Sequence, residues 1–434
     1  MFIDNGLPGS PEGPLRAVEP SAVGVRLLVT IALLTAAAPF AMDLYLPAFP
    51  SMMNELATTA TGVQLSLTAF LVGAGAGHLL FGPLSDRVGR RWPLLLGTAI
   101  YVLASAATSF APTVPLLVGA RLLQGVSGAA GMVIGRAVIA DLARGREAAR
   151  AFSLMMLVGG VAPVVAPLAG SLLSGTIGWR GLLWIVTGLG VVSLIASALF
   201  VPETRPSAGR IAGPRPTQGS GSLFRRGFVG NALAFAFGFG TLIAYISASP
   251  FLYQNLMGLS EWQYGVVFGL NALVLTVVGG YSARLARRRA PGGLARIGLL
   301  INLAGSAAIA VLALLGVPPL WLTIPILVAV GSLGLVLGNT TALALDHVRD
   351  TSGVGSAVLG LLQFGIAGVV APLVGLGGAA TAVPLALTMV TAAGIANLSL
   401  LAARHPHNLP ASDPAPPPSQ LENPSPTLPY RAHG

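Results

Sequence analysis

The chain of 434 residues contains no cysteine and few charged residues. Without cysteine it can form neither a disulfide nor a thiolate metal site. Only 9% of its residues are charged, whereas soluble domains average about 25%. So few charges cannot cover a water-facing surface, which excludes a large soluble protein. The 54% of hydrophobic residues and the mean hydropathy of +0.80 indicate a membrane protein instead.

Long apolar runs recur along the whole chain. A helix needs about 20 mostly apolar residues to cross a bilayer. We predict about twelve spans, at 25–50, 61–82, 93–111, 114–140, 151–175, 181–201, 228–251, 263–284, 294–315, 319–344, 353–377 and 380–402. Residues 1–24 are polar and do not resemble a signal peptide, so the first run is expected to be an uncleaved span. The pattern predicts an all-α membrane protein with 12 transmembrane helices.

The chain also lacks lysine, and arginines supply its formal net charge of +10. Nearly all of them fall on one predicted side of the membrane; Arg180 is clearly on the other side, and Arg121 and Arg136 lie within a span. Because cytoplasmic loops are enriched in basic residues, both termini are predicted to be cytoplasmic in a plasma membrane protein. The arginines are separated by apolar runs instead of forming one patch, so we expect no nucleic-acid partner.

The two halves of the chain resemble each other. The segment from Ala166 to Gly170 recurs from Ala371 to Gly375, and Pro47 recurs as Pro250, at nearly the same offset. A polar linker at 203–227 divides the spans six and six. We predict a cytoplasmic tail 1–24, two pseudo-symmetric six-helix bundles at 25–202 and 228–403, and a disordered cytoplasmic tail 404–434. Such repeats place a binding site near the midplane, between the halves.

A charged turn joins the second and third predicted spans. Asp86 and Arg90 are four residues apart on an expected helical extension, and Asp141 ends the fourth span on the same side. Ion pairs among them can close a cytoplasmic gate, and Gly82 is expected to permit close helix approach. The alternative is that the arginines only anchor the topology. The gate candidates are Gly82, Asp86, Arg87, Gly89, Arg90, Arg91 and Asp141.

Asp43 and Arg121 are charged residues placed within spans, where a charge is costly. Counting 1.5 Å per residue from the predicted outer surface places both at a similar depth, and Gln124 shares the face of Arg121. We predict that they form a proton-coupling and substrate site. Two alternatives remain open: Asp43 is a solvated loop residue, and Arg121 is a structural clamp on neighbouring backbone.

Other polar, proline and glycine residues within spans are weaker candidates. The fifth span carries Gly159, Pro163, Pro167 and Gly170, which can bend a helix and permit close packing or reflect ordinary small-residue packing. Further cavity candidates, or alternatively interhelical contacts, are Tyr45, His78, Asn231, Tyr245, Asn339 and Gln363. For His78 a neutral hydrogen-bonding role is favoured over a proton relay. We find no metal, cofactor or phosphate-loop motif, so an ion gradient is the expected energy source of a non-enzyme.

Four features are informative together: the turn at 82–91, the segment Arg121-Leu122-Leu123-Gln124-Gly125, the fifth span and the six-plus-six layout. Together they resemble the major facilitator superfamily over residues 25–403. The segments 42–47, 178–180, 202–205 and 249–251 are similar to its Bcr/CflA-type drug efflux transporters, which include chloramphenicol exporters. The resemblance implies drug/proton antiport by alternating access, with Asp43 as the coupling carboxylate and Arg121 as its partner. The chain departs from the family pattern at two places: it has Ala162-Pro163 where the family has Gly-Pro, and His78 where the family has Gln.

The sequence thus predicts a monomeric transporter that exports lipophilic drug-like molecules in exchange for protons. Its expected partners are the small-molecule substrate, protons and the lipid bilayer. Two other functions remain open, namely a proton-coupled carrier for a single endogenous metabolite and a non-transporting membrane receptor on the same fold.

Overall fold

The structure is a computed structural model that describes residues 24–143, 145–204, 225–348 and 352–403. Nearly all of the predicted tail 1–24, most of the linker 203–227 and the tail 404–434 lie outside these residues. Within the described ranges the chain consists of helices and turns, without a strand.

Twelve α-helices make up the described chain. The first six are α1 (Val25–Asp43), α2 (Phe49–Glu55), α3 (Ala60–Val88), α4 (Arg91–Phe110), α5 (Val114–Leu142) and α6 (Gly145–Phe200). The other six are α7 (Arg226–Pro250), α8 (Glu261–Leu285), α9 (Pro291–Leu314), α10 (Thr323–Asp346), α11 (Ser352–Leu373) and α12 (Val383–Ala402). Short 3₁₀ helices at Leu46–Ala48 and Pro319–Leu322 and a π-helix at Phe251–Leu256 complete them.

The helices supply twelve membrane crossings. Eleven stretches of the described chain are long and apolar enough to span a bilayer, but one of them, Arg150–Phe200, is 51 residues long. A straight helix of that length would extend about 77 Å, far beyond the roughly 30 Å hydrocarbon core. It bends at Gly178, where φ is 63°, so its two arms cross separately. The predicted fold class and number of crossings are confirmed.

The crossings pack in the same pattern in both halves. In the N-terminal half (α1–α6) α3 packs on α5, and α4 packs on both α5 and α6. In the C-terminal half (α7–α12) the corresponding pairs are α8 on α10, α9 on α10 and α9 on α12. Between the halves, α3 packs on α11 and the first arm of α6 on α8. A pseudo-two-fold axis that relates the two halves would convert each of these two contacts into the other. The two bundles are therefore equivalent in their packing.

The turns lie at two faces of the molecule. We call the face with the turns at 88–91 and 285–291 the arginine-rich face, and the face with the turns at 55–60 and 256–261 the opposite face. Of the described hydrogen bonds between the halves, one joins Thr276 to Gly160 near mid-height. The other three lie toward the opposite face. In this conformation the halves are therefore closed at the opposite face.

Candidate functional site

The first crossing is broken in its middle, next to Asp43. We predicted a continuous span at 25–50, but α1 ends at Asp43 and is followed by a turn, the 3₁₀ helix Leu46–Ala48 and α2. The reason is Pro47, since proline has no N–H to donate and disfavours helical geometry in the residue before it. All residues from 44 to 49 are buried. Broken helices that line a site between repeats are typical of transporter binding sites.

The carboxyl of Asp43 is buried and incompletely hydrogen-bonded. Its residue is 3% exposed, and Oδ1 has no hydrogen-bond partner among the described residues. This burial excludes the alternative of a solvated loop residue. The 3₁₀ helix Leu46–Ala48, which begins three residues after Asp43, packs against α7 and α8 of the C-terminal half. Asp43 therefore lies where the N-terminal half meets the C-terminal half.

Arg121 approaches α1 but does not pair with Asp43, contrary to the predicted partnership. Its Nη1 donates to the carbonyl oxygen of Ala41 at 2.9 Å and to Oε1 of Gln124 at 2.8 Å. Its guanidinium lies 3.9 Å from the ring centroid of Tyr45. None of the ion pairs in the described chain includes Asp43. Arg121 instead places a positive charge at the C-terminal end of α1, where the helix dipole is negative.

Gln124 and Tyr45 continue this polar cluster into neighbouring helices. The Nε2 of Gln124 donates to Ser105 Oγ at 2.7 Å, and the Tyr45 hydroxyl lies 3.0 Å from Ser66 Oγ. Both side chains are fully buried. The sequence prediction placed Gln124 on the same face as Arg121, and the structure joins the two directly.

Aromatic side chains of the C-terminal half form a cluster next to the break in the first crossing. Tyr245 of α7 stacks on Phe268 of α8 with ring centroids 5.6 Å apart, and Tyr253 and Tyr264 complete the cluster. Tyr253 belongs to the π-helix that follows Pro250. Sequence reasoning named only Tyr245. The equivalence of Pro250 to Pro47 is the signal that could have directed attention to the aromatic residues around it.

Two glutamines tie the halves together toward the opposite face, and neither was predicted. Gln64 of α3 donates to the carbonyl oxygen of Ser247 at 3.0 Å, and Gln254 of the π-helix donates to that of Pro47 at 2.8 Å. We call these two reciprocal hydrogen bonds the glutamine clasp. Ser174 of α6 also donates to Glu261 of α8 on this side. These hydrogen bonds close the boundary between Asp43 and the opposite face.

At the arginine-rich face, Arg90 lies between two carboxylates. Its Nη1 is 2.7 Å from Asp86 Oδ1, and its Nε is 3.0 Å from Asp141 Oδ2. Burial opposes its charge, but the hydrogen bonds and ion pairs with Asp141 and Asp86 outweigh burial and raise the pKa of Arg90 above its ordinary value. Contrary to the prediction, the residues share no helix: Asp86 is in the last turn of α3, and Arg90 precedes α4.

Glu203, which follows the last crossing of the N-terminal half, fixes the same turn. Its carboxylate accepts hydrogen bonds from the backbone N–H groups of Arg90 and Arg91 at 2.8 and 3.0 Å. These N–H groups begin α4, where a negative charge is favourable. In the sequence, Glu203 belongs to the segment 202–205 that is similar to the drug efflux transporters, but no contact was predicted for it. Arg91 also donates to the carbonyl oxygen of Ala198 at 2.9 Å, whereas Arg87 is exposed.

Gly89 in this turn and Gly82 in α3 differ in the space around their Cα atoms. Gly89 has φ of +104°, and a Cβ there would lie 2.7 Å from Glu203 Oε2. At Gly82, predicted to permit close packing, a Cβ would meet nothing within 4 Å, so that prediction is wrong.

We expect Gly89→Ala to destabilise the protein by about 1–3 kcal/mol, the usual cost of a non-glycine residue in such backbone geometry. Thermal unfolding in detergent measures this. Gly82→Ala is the matched control and should leave the melting temperature unchanged or slightly higher, since alanine favours helix. Equal melting temperatures for both variants would contradict the assigned role of Gly89.

The remaining candidates lie apart from Asp43. His78 Nδ1 is 2.8 Å from the carbonyl oxygen of Ala74, and its ring packs on Phe364 of α11. Asn339 donates to Ser282, which joins α10 to α8. Asn231 donates within its own helix, and Gln363 is half-buried on α11.

In the fifth crossing, Gly170 is the residue that permits close approach. A Cβ there would overlap the carbonyl oxygen of Leu44, in the break of the first crossing. A Cβ at Gly159 would meet nothing within 4 Å. The φ/ψ angles stay helical at Pro163 and Pro167 and leave the helical region only at Gly178.

Comparison with known proteins agrees with this architecture. The family model of the Major Facilitator Superfamily matches residues 31–372. The chain is 35% identical over 384 residues to the "Uncharacterized MFS-type transporter YdgK" of Bacillus subtilis (strain 168), covering 86% of this chain and 94% of that protein. It is 33% identical to the chloramphenicol resistance protein of Pseudomonas aeruginosa, covering 72% and 76%.

A solved structure shows the same fold. It is that of a bacterial homologue of the human lysosomal transporter Spinster, with a TM-score of 0.69 and 15% identity, covering 87% of this chain and 95% of that one. The predicted resemblance to the superfamily and to its drug-resistance members is confirmed. The chain therefore belongs to the Major Facilitator Superfamily and is a transporter rather than an enzyme.

Proposed function

We propose that this transporter exports lipophilic, drug-like molecules from the cytoplasm in exchange for protons. The observation that carries the proposal is the buried carboxyl of Asp43, with one unpartnered oxygen, at the boundary between the halves. An acid inside a membrane span is costly and is retained mainly for function. The drug-resistance name of a relative supports the substrate class.

The coupling follows from what can neutralise Asp43. No described cation pairs with it: Arg121 uses Nη1 on Ala41 and Gln124 and stacks on the ring of Tyr45, and its Nε and Nη2 have no partner among the described residues. The carboxyl is therefore free to take up a proton when no substrate occupies the boundary and to release it when substrate arrives. Arg121 contributes by fixing the end of α1, so that the position of Asp43 depends on the packing of α5.

Alternating access supplies the movement. The bundles 25–202 and 228–403 rock against each other, with the arginine-rich face in the cytoplasm and both termini there. The present conformation is closed at the opposite face by the glutamine clasp and thus corresponds to loading from the cytoplasm. The Arg90 ion pairs hold α3 and α5 of the N-terminal half to the start of α4; when the clasp opens, this cluster meets the C-terminal half and closes the cytoplasmic side. Since one chain supplies both bundles, the transporter acts as a monomer in the plasma membrane.

The test is transport by the purified protein in liposomes, with the arginine-rich face outside and the membrane potential clamped at zero. With a more acidic interior by one pH unit, a one-to-one exchange sustains about tenfold accumulation of chloramphenicol inside. A protonophore should abolish that accumulation. Accumulation of one metabolite and of no drug in a broad panel would favour the single-substrate carrier. Absence of flux for every compound would favour the receptor.

A further inference from the structure

Unsatisfied polar atoms gather at the boundary between the halves. Oδ1 of Asp43, the hydroxyls of Tyr245 and Tyr253, and Oδ1 of Asn271 are all buried without a hydrogen-bond partner among the described residues. Their residues are 3%, 1%, 0% and 1% exposed. Buried polar groups are normally hydrogen-bonded, and each exception requires an explanation.

Three of these atoms converge within the C-terminal half. Tyr253 lies next to Tyr245, with ring centroids 6.4 Å apart, and Asn271 lies one turn beyond Phe268 on the same face of α8. Asn271 uses its Nδ2 on its own helix, donating to Val267 at 2.8 Å, so its oxygen remains unused. Tyr253 is placed here by the π-helix, a feature that often marks functional sites.

The groups form a definite chemical pattern. Two phenol hydroxyls can donate, and one amide oxygen can only accept. The stacked rings of Tyr245 and Phe268 provide an apolar wall beside them. Such a combination of flat rings and few polar groups is typical of small-molecule sites.

We propose that Tyr245, Tyr253 and Asn271 form the recognition site for the transported molecule, whose class is an uncharged aromatic compound with hydrogen-bond acceptors and an N–H or O–H donor. This assignment rests on the proposed export function. The C-terminal half then recognises the substrate, and Asp43 of the N-terminal half handles the proton. The site is covered in this conformation. Substrate that enters from the arginine-rich face reaches it by displacing the segment Leu46–Ala48 from α7 and α8, which that segment contacts here.

Because the two hydroxyls have no partner, this proposal predicts that their removal affects binding affinity but does not lower stability. Tyr245→Phe and Tyr253→Phe each remove a buried group that has no partner in the empty protein, so the melting temperature should stay constant or rise. If the hydroxyls bind substrate, each change should weaken the binding of chloramphenicol, an uncharged nitroaromatic amide, by about 3- to 10-fold. A purely structural role would lower stability and affinity together.

Tyr264→Phe is the matched control. Its ring belongs to the same cluster, but its hydroxyl lies 3.2 Å from Ser249 Oγ and already has a partner. We expect unchanged affinity within about twofold and a lower melting temperature, because that hydrogen bond is lost. Affinity should be measured by equilibrium binding to the full chain in detergent.

The outcomes of these measurements distinguish the recognition site, the ligand class and the export function from one another. Unchanged affinity in both Tyr245→Phe and Tyr253→Phe, or an equal loss in Tyr264→Phe, overturns the recognition site. Failure of the wild type to bind chloramphenicol and other uncharged aromatic amides overturns the ligand class. Export is tested separately by the liposome experiment, so a protein that binds but does not accumulate chloramphenicol refutes proton-coupled export and leaves the recognition site standing.

Discussion

Asp43→Asn is expected to abolish proton-driven accumulation of substrate while leaving expression and the melting temperature close to those of the wild type. Asparagine has nearly the same size but cannot take up or release a proton. The substitution leaves no described ion pair broken, since Asp43 has none. In liposomes with a gradient of one pH unit, accumulation should fall from about tenfold to the equilibrium value.

Substrate exchange at equal pH separates coupling from folding. Asp43→Asn should still exchange labelled for unlabelled substrate, because the movement of the halves remains. Glu55→Gln is the matched control, since Glu55 also lies on the first crossing but is bound to Trp179 and Arg180. It should accumulate substrate as the wild type does. Full uphill transport by Asp43→Asn would remove this carboxyl from the mechanism.

Gly170→Ala is expected to have the second large effect. The added Cβ would overlap the carbonyl oxygen of Leu44, and a backbone atom cannot move aside as a flexible side-chain end can. The break in the first crossing would have to shift, taking Asp43 with it. Overpacking of this kind typically costs about 1–3 kcal/mol, and we expect at least a tenfold loss of transport rate together with a lower melting temperature.

Gly159→Ala provides the comparison within the same helix. A Cβ at this position meets nothing within 4 Å, so both the transport rate and the melting temperature should match those of the wild type. Initial rates in liposomes and thermal unfolding in detergent measure the two effects. If the two alanine variants behaved alike, the contact between Gly170 and Leu44 would not control the position of Asp43.

Much of the fold was predictable because it depends on short-range patterns. Apolar runs define the crossings, the repeat of Pro47 at Pro250 reveals the duplicated halves, and the spacing of Asp86 and Arg90 indicates their ion pair. Gln124 lies three residues from Arg121, which places both on one helical face. Each of these inferences needs only the geometry of a single helix or turn.

The contacts that arrange the candidate site were less accessible. Arg121 binds the main chain of Ala41 and not the carboxyl of Asp43. Every residue has a main-chain carbonyl, so the sequence does not show which one accepts the hydrogen bond. Glu203 reaches the start of α4 from a position more than 100 residues away. The broken end of α1 could be suspected from Pro47, but its exact position depends on packing against Gly170.

The glutamine clasp has a consequence for how such a protein diverges. Both glutamines bind main-chain carbonyls, so the accepting residues can change without loss of the acceptor. Substitutions at Ser247 then require no compensating change at Gln64, and related chains need show no covariation between these positions. The two halves can drift apart in sequence while the seal between them persists.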